Sequence, residues 1–191
     1  MHATFTRIAS RSARRSTGVR AGFTLIETAL AIVIVGVGVV SIMMAQAAFH
    51  QQNAWSTHAS IASQLGNEIR EMTINLPARD PVTGDLVWGP EPGETFADFD
   101  DLDDFDGAGS GLVFSASAGD GPVNARRQVI PNMAGWSQEV RVFNVNPFDV
   151  TDSSPADGST STIMVEVKVF YQAPGTATPL EMTTVSWIAP N

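Results

Sequence analysis

Three regimes of apolar and polar positions follow one another along the chain. Residues 28–45, TALAIVIVGVGVVSIMMA, are uncharged and almost wholly apolar. With Phe23, Leu25 and Ile26 before them and Ala47, Ala48 and Phe49 after, the run reaches the ~20 residues that a bilayer-spanning helix needs. From Ala54 onward the pattern becomes one-sided. Ala54, His58, Ile61, Leu65, Ile69, Met72 and Leu76 recur at intervals of three and four, which places them on one helical face. Gln51, Gln52, Asn53, Ser63, Asn67, Arg70 and Glu71 supply the polar faces. Pro77 stops the pattern, since a proline inside a helix costs about 3 kcal/mol. The spacing therefore predicts one helix from near Thr24 to Asn75, on the order of 75–80 Å long. Its first half is apolar all round; its second half is amphipathic and wants a partner surface in water.

The third regime, residues 77–191, holds all 11 prolines and supplies that surface. Ile163, Val165, Val167 and Val169 alternate with Met164, Glu166, Lys168 and Phe170, the period-2 signature of a half-buried strand. Glu139 to Val145 reads as a second strand and Leu180 to Ile188 as a third, with an Ala173-Pro174-Gly175 turn suggesting a hairpin. Leu112–Ser115 and Arg126–Ile130 are weaker strand candidates. The expected class is α+β: a long N-terminal helix, transmembrane and then amphipathic, packed on a small antiparallel sheet. The expected organisation is a basic leader at 1–22, a membrane half-helix at 23–49, an amphipathic half-helix at 50–76 and an antiparallel β domain at 77–191.

Charge sharpens the division. The net charge of -9 comes from 11 Lys and Arg against 20 Asp and Glu, yet residues 1–22 hold five Arg and no acid. Without them, six basic residues face all 20 acids, a side-chain charge of -14. A basic, acid-free head before an apolar run is a targeting or membrane signal. Its arginines put the head in the cytoplasm and the domain on the other side. An acidic domain is not built for nucleic acid as its main partner, because phosphate binding needs clustered Lys and Arg. The chain has no Cys and three His, which excludes disulfides and thiolate chemistry and leaves few acid–base groups near neutral pH. No nucleophile-elbow or phosphate-loop pattern occurs, and an enzyme is not expected.

At the junction the residues read Arg20-Ala21-Gly22-Phe23-Thr24-Leu25-Ile26-Glu27-Thr28-Ala29-Leu30. A basic head, a Gly-Phe step, a Glu five residues after the Gly and a long apolar run together resemble the cleavage and methylation signature of type IV pilins and type II secretion pseudopilins. The resemblance covers Gly22 to about Val40. It implies cutting by a prepilin peptidase between Gly22 and Phe23 on the cytoplasmic face, N-methylation of Phe23, and assembly with other pilin or pseudopilin subunits. The place implied is the inner membrane, spanned once, and then a pilus or pseudopilus. An acidic stretch followed by Gly135-Trp136-Ser137-Gln138-Glu139-Val140 also looks like the globular domain of V-type minor pilins.

A carboxylate near the bilayer centre costs about 2.5–3.5 kcal/mol, so a sequence selected only to span would not place Glu27 there. The resemblance implies that Glu27 pairs with the N-terminal ammonium of an adjacent subunit; the plainer reading is a Glu in the headgroup layer. Gly36 and Gly38 lie inside the apolar run. They either let helices pack closely or form a weak point at ~1 kcal/mol each against Ala. Two other readings of the segment stand beside this one. Ala45-Gln46-Ala47 before Ala48 satisfies a secretory cleavage pattern, although the apolar run is longer than such signals use. Alternatively, the chain is an unprocessed single-pass anchor that carries a binding or sensing domain.

Asp98, Asp100, Asp101, Asp103, Asp104 and Asp106 crowd around Phe99, Leu102 and Phe105. Such a group suits calcium, which takes 6–8 oxygens, but the spacing fails the usual calcium-loop pattern. The favoured reading is a solvated acidic loop whose Phe99, Leu102 and Phe105 tuck onto the sheet. His50 and His58, eight residues apart, are not an adjacent-turn ligand pair; His58 is expected to be packed and His50 to sit at the membrane border. Trp88, Trp136 and Trp187 are expected in the core or hairpins, and Trp55 near an interface.

Overall fold

A computed structural model describes residues 22–82, 88–107 and 109–189. The expected leader lies outside these residues except for Gly22. The chain divides into two compact units, Met1–Phe49 and His50–Asn191. One helix, α1 (Leu25–Thr73), contributes to both.

In the first unit every residue of α1 is exposed. Leu25 is 88% and Ile26 78% accessible, and Val33, Ile34, Val35, Val37, Met43 and Met44 remain above half. No soluble surface normally offers so continuous an apolar area. The stretch is long and apolar enough to cross a membrane; 25 residues at 1.5 Å rise give about 37 Å, against ~30 Å of hydrocarbon. Its hydroxyls bond back to the helix. Thr28 Oγ1 donates to the Leu25 carbonyl at 2.9 Å, and Ser41 Oγ to the Val37 carbonyl at 2.8 Å. Such back-bonding satisfies a hydroxyl where no water is at hand.

The second unit is a layer of helix on sheet. Four antiparallel strands, β1 (Leu112–Ser115), β2 (Trp136–Asn144), β3 (Ile163–Tyr171) and β4 (Leu180–Ile188), lie in sequence order. The alternation predicted for β3 holds: Ile163, Val165, Val167 and Val169 are buried while their neighbours are half-exposed. Their cross-strand partners Asn144, Val142, Val140 and Gln138 point the same way. β2 begins at Trp136, three residues before the expected start. The reason is Gly135, which adopts φ +82° and would bring a Cβ within 2.4 Å of the Gln172 carbonyl oxygen. Its own carbonyl accepts from Gln172 N at 2.8 Å, so the ladder starts there.

Onto this face α1 lays Leu65, Ile69 and Met72, as the spacing predicts. Ala54 is exposed, and His58, Ile61 and Leu76 are only half-buried. Ala62, Gly66 and Thr73 complete the buried stripe instead. Gly66 permits the close approach, since a Cβ there would stand 2.7 Å from Val185 Cγ2. The fully buried Gln138 ties the layers together. Its Nε2 donates to the Leu65 carbonyl (2.8 Å) and the Val123 carbonyl (3.1 Å), and its Oε1 accepts from Val123 N (2.8 Å). At one end of the sheet His58 packs on Trp136 and Tyr171, with ring centroids 5.7 and 4.4 Å away.

The expected strand at Arg126–Ile130 does not form; only an isolated Val123–Val129 bridge is present. Asn124 Oδ1 accepts from Arg126 N and Gln128 N at 2.9 and 3.0 Å, and Arg127 takes φ 60°. Local Asn turn chemistry thus outcompetes a weak alternation. Glu68 of α1 fixes the turn by accepting from Ala125 N at 2.8 Å.

Candidate functional sites

Two places carry chemistry, one in each unit. The first is the entry to α1. Gly22 and Phe23 precede the helix, and Phe23 is 78% exposed. The Thr24 carbonyl accepts from Glu27 N and Thr28 N at 3.0 and 3.1 Å, which sets Glu27 in the first turn. There its exposed carboxylate faces the positive end of the helix dipole, a favourable term of a few tenths of a kcal/mol or more. Gly36 and Gly38 lie within the exposed apolar stretch, and no atom comes within 4 Å of a Cβ built at either. No packing inside the described chain requires a glycine at these two positions.

The second place is the acidic segment, and here the sequence expectation needs correction. Phe99, Leu102 and Phe105 are buried as expected, but the loop is not solvated: Asp101, Asp103, Asp104 and Asp106 are each at most 3% exposed. Only Asp98 and Asp100 face solvent. A 3-10 turn, Asp103–Asp106, produces the arrangement. It turns Phe105 into a cluster with Phe99 and Phe96, centroids 5.4 and 6.2 Å away, and carries the flanking carboxyls inward with it. Arg127 pins the preceding segment, donating to the carbonyls of Phe96, Ala97 and Phe99 and lying 5.7 Å from the Phe96 ring centre.

The six aspartates part company. Asp98 Oδ2 accepts from Thr95 N (3.2 Å) and Oγ1 (2.7 Å), a local turn. Asp106 Oδ2 accepts from Trp88 Nε1 at 3.2 Å, and Asp103 Oδ2 from Gly89 N at 3.1 Å. Asp104 Oδ2 accepts from Asp100 N and Asp101 N at 3.1 and 3.4 Å, while Asp101 Oδ1 accepts from Asp104 N at 3.2 Å. Asp100, Asp101 and Asp104 place carboxylate oxygens within 4.8 Å of one another; so do Glu91, Glu94 and Asp104. The two glutamates were not singled out from the sequence. The signal was Glu91-Pro92-Gly93-Glu94, a Pro-Gly turn closed by Glu94 N donating to the Glu91 carbonyl at 3.0 Å.

Burial raises all four interior carboxyls. It pushes Asp101 from 3.8 up to about 7, with the Asp103 charge and a hydrogen bond to that carboxyl adding to the rise. Asp104 is pushed by burial, and then by the Asp101 charge, to about 6. Asp103 and Asp106 also rise through burial; the bonds from Asp101 and Gly89, and from Trp88, respectively oppose it. The sign of the stability effect follows. Below pH 3.8 both folded and unfolded chains hold these protons and no penalty arises. Between about pH 4 and 7 the unfolded chain releases them first, so stability falls as pH rises. Without divalent metal, the thermal unfolding midpoint of the sheet domain is expected to drop by several degrees from pH 4.5 to 7.5. A flat or rising profile, followed by tryptophan fluorescence, would contradict the burial of these groups.

Trp136 is buried and Trp88 and Trp187 pack against the core, whereas Trp55 is 54% exposed and His50 is exposed on α1. No protein-family model, curated protein or solved structure matches this chain.

Proposed function

We propose that the chain is a structural filament subunit, a minor pilin of a type IV pilus or a pseudopilin of a type II secretion system. The observation that carries the reading is the order of parts along one helix. Gly22-Phe23 lies just before its start, Glu27 in its first turn, and residues 25–49 expose apolar surface on every side. The same helix then supplies the buried stripe of a folded sheet domain. Prepilin peptidase cuts between Gly22 and Phe23, and the apolar half holds the subunit in the inner membrane with its domain outside. During assembly that half leaves lipid for a bundle of like helices, where the acid of Glu27 meets the N-terminal ammonium of a neighbour. Head-to-tail contacts of this kind do not close and so build a filament.

A permanent, unprocessed anchor would share the exposed apolar helix but leaves Glu27 and the Gly-Phe step without work. Fractionation separates the two. In cells that carry the assembly machinery, the chain is expected both in the inner membrane and in filaments released by shearing or recovered by pull-down of the major subunit. Recovery from the membrane alone, under conditions in which filaments form, would favour the anchor.

A further inference from the structure

Asp104 is common to both carboxylate triads, and its side chain is 1% exposed. Its Oδ2 is satisfied by two backbone N–H groups, yet its Oδ1 is buried and has no hydrogen-bond partner. Asp103 Oδ1, on the adjacent residue, is in the same condition. A buried carboxylate oxygen with no donor is costly and rare in folded proteins. Here two occur side by side, and the charges of Asp103 and Glu91 act on Asp101, those of Asp101 and Glu91 on Asp104.

We propose that Asp104, shared by a triad with Glu91 and Glu94 and a triad with Asp100 and Asp101, anchors a divalent-cation site that takes calcium. The donor set is oxygen only, with no His, which selects a hard cation. Within each triad the oxygens lie no more than 4.8 Å apart. Calcium binds oxygen at about 2.3–2.6 Å, so ligands on opposite sides of it stand roughly 4.6–5.2 Å apart, and each triad fits on one calcium shell as built. Magnesium, at about 2.0–2.1 Å and with strict octahedral demands, would require the oxygens to close in. The Glu91–Glu94 turn is pre-shaped for the purpose. Glu94 Oε2 accepts from Glu91 N at 3.0 Å, which folds the side chain back toward the turn. The cation ties this turn to the 3-10 turn and neutralises carboxyls that the fold has already drawn out of water. It is therefore a structural ion for the sheet domain, and it does not depend on whether the chain enters a filament.

The test uses the full chain in detergent micelles, titrated with calcium chloride by calorimetry and followed in thermal unfolding. Calcium at about ten times its dissociation constant is expected to raise the sheet domain's midpoint by roughly 3–6 °C, and EDTA to reverse the rise. Asp104→Asn keeps an oxygen for the Asp100 and Asp101 N–H groups but loses the charge. Glu94→Gln does the same at the half-buried turn. Each is expected to weaken calcium binding at least tenfold, and magnesium at equal concentration to give a smaller shift. Circular dichroism identifies any variant that fails to fold, and the other then decides. No heat and no shift at about 10 mM calcium, above the dissociation constants of even weak calcium sites, would overturn the site, as would a folded variant that binds as tightly as the unaltered chain. An equal shift with magnesium would overturn the choice of calcium.

Discussion

Phe105→Ala is expected to lower the stability of the sheet domain by about 3–5 kcal/mol, the usual range for removing a fully buried aromatic ring. Phe105 is 0% exposed and meets Phe99 edge-on at 5.4 Å. Its loss leaves a cavity that cannot easily collapse, because the 3-10 turn carrying it is also held by Asp103 to Gly89 and by Asp106 to Trp88. For a domain of this size the unfolding midpoint should fall on the order of 10 °C. Phe148 provides the control. The same truncation at a side chain 98% exposed should change stability by less than about 0.5 kcal/mol. Urea unfolding followed by tryptophan fluorescence measures both, and similar losses at the two positions would mean that the aromatic cluster is not the keystone of this segment.

The second large effect concerns assembly and should leave the fold untouched. Glu27→Ala removes a carboxylate from the first turn of α1, at the edge of the apolar stretch, where a charge costs less than the ~2.5–3.5 kcal/mol of the bilayer centre, so membrane insertion should be unimpaired. In the proposed filament the same change would strand a neighbour's ammonium in an apolar bundle. Breaking a buried ion pair in this way costs about 3–5 kcal/mol per contact, a factor above 100 in each subunit's association. Incorporation into filaments should collapse while the membrane-bound amount stays constant. Glu27→Asp, with one methylene less of reach, should retain part of it. Filaments formed at normal yield by Glu27→Ala would remove the ion-pair role.

The elements with strong periodicity were legible because one physical term dominates each. Val165, Val167 and Val169 alternate strictly, and burying that face fixes β3 whatever its neighbours are. Pro77 ended the amphipathic pattern, and α1 stops at Thr73, within a turn of it. The acidic segment was not legible in the same way. Composition puts aspartates on the surface, whereas here Trp88 and Gly89, far along the chain, supply the donors that let Asp106 and Asp103 go inside. Such donors are visible only once the loop has closed. Gln138 is a middle case. It lies on the buried face between Trp136 and Val140, a polar side chain at an interior position of the pattern. The expected strand began one residue later, at Glu139, so only the fold reveals that Gln138 is interior and joins Leu65 of α1 to Val123. Glycines divide likewise: Gly66 is explained by Val185, whereas Gly36 and Gly38 meet nothing among the described residues.

The central claim is that the chain works as a processed subunit, and its N-terminus reports this most directly. Intact mass and N-terminal sequencing of the membrane-bound form, from cells with an active prepilin peptidase, should give residues 23–191 with one methyl group on the Phe23 nitrogen. In cells lacking the peptidase the mass should revert to that of the full 191 residues. A chain that still begins at Met1 with the peptidase present, or one that begins at Ala48, would contradict the account.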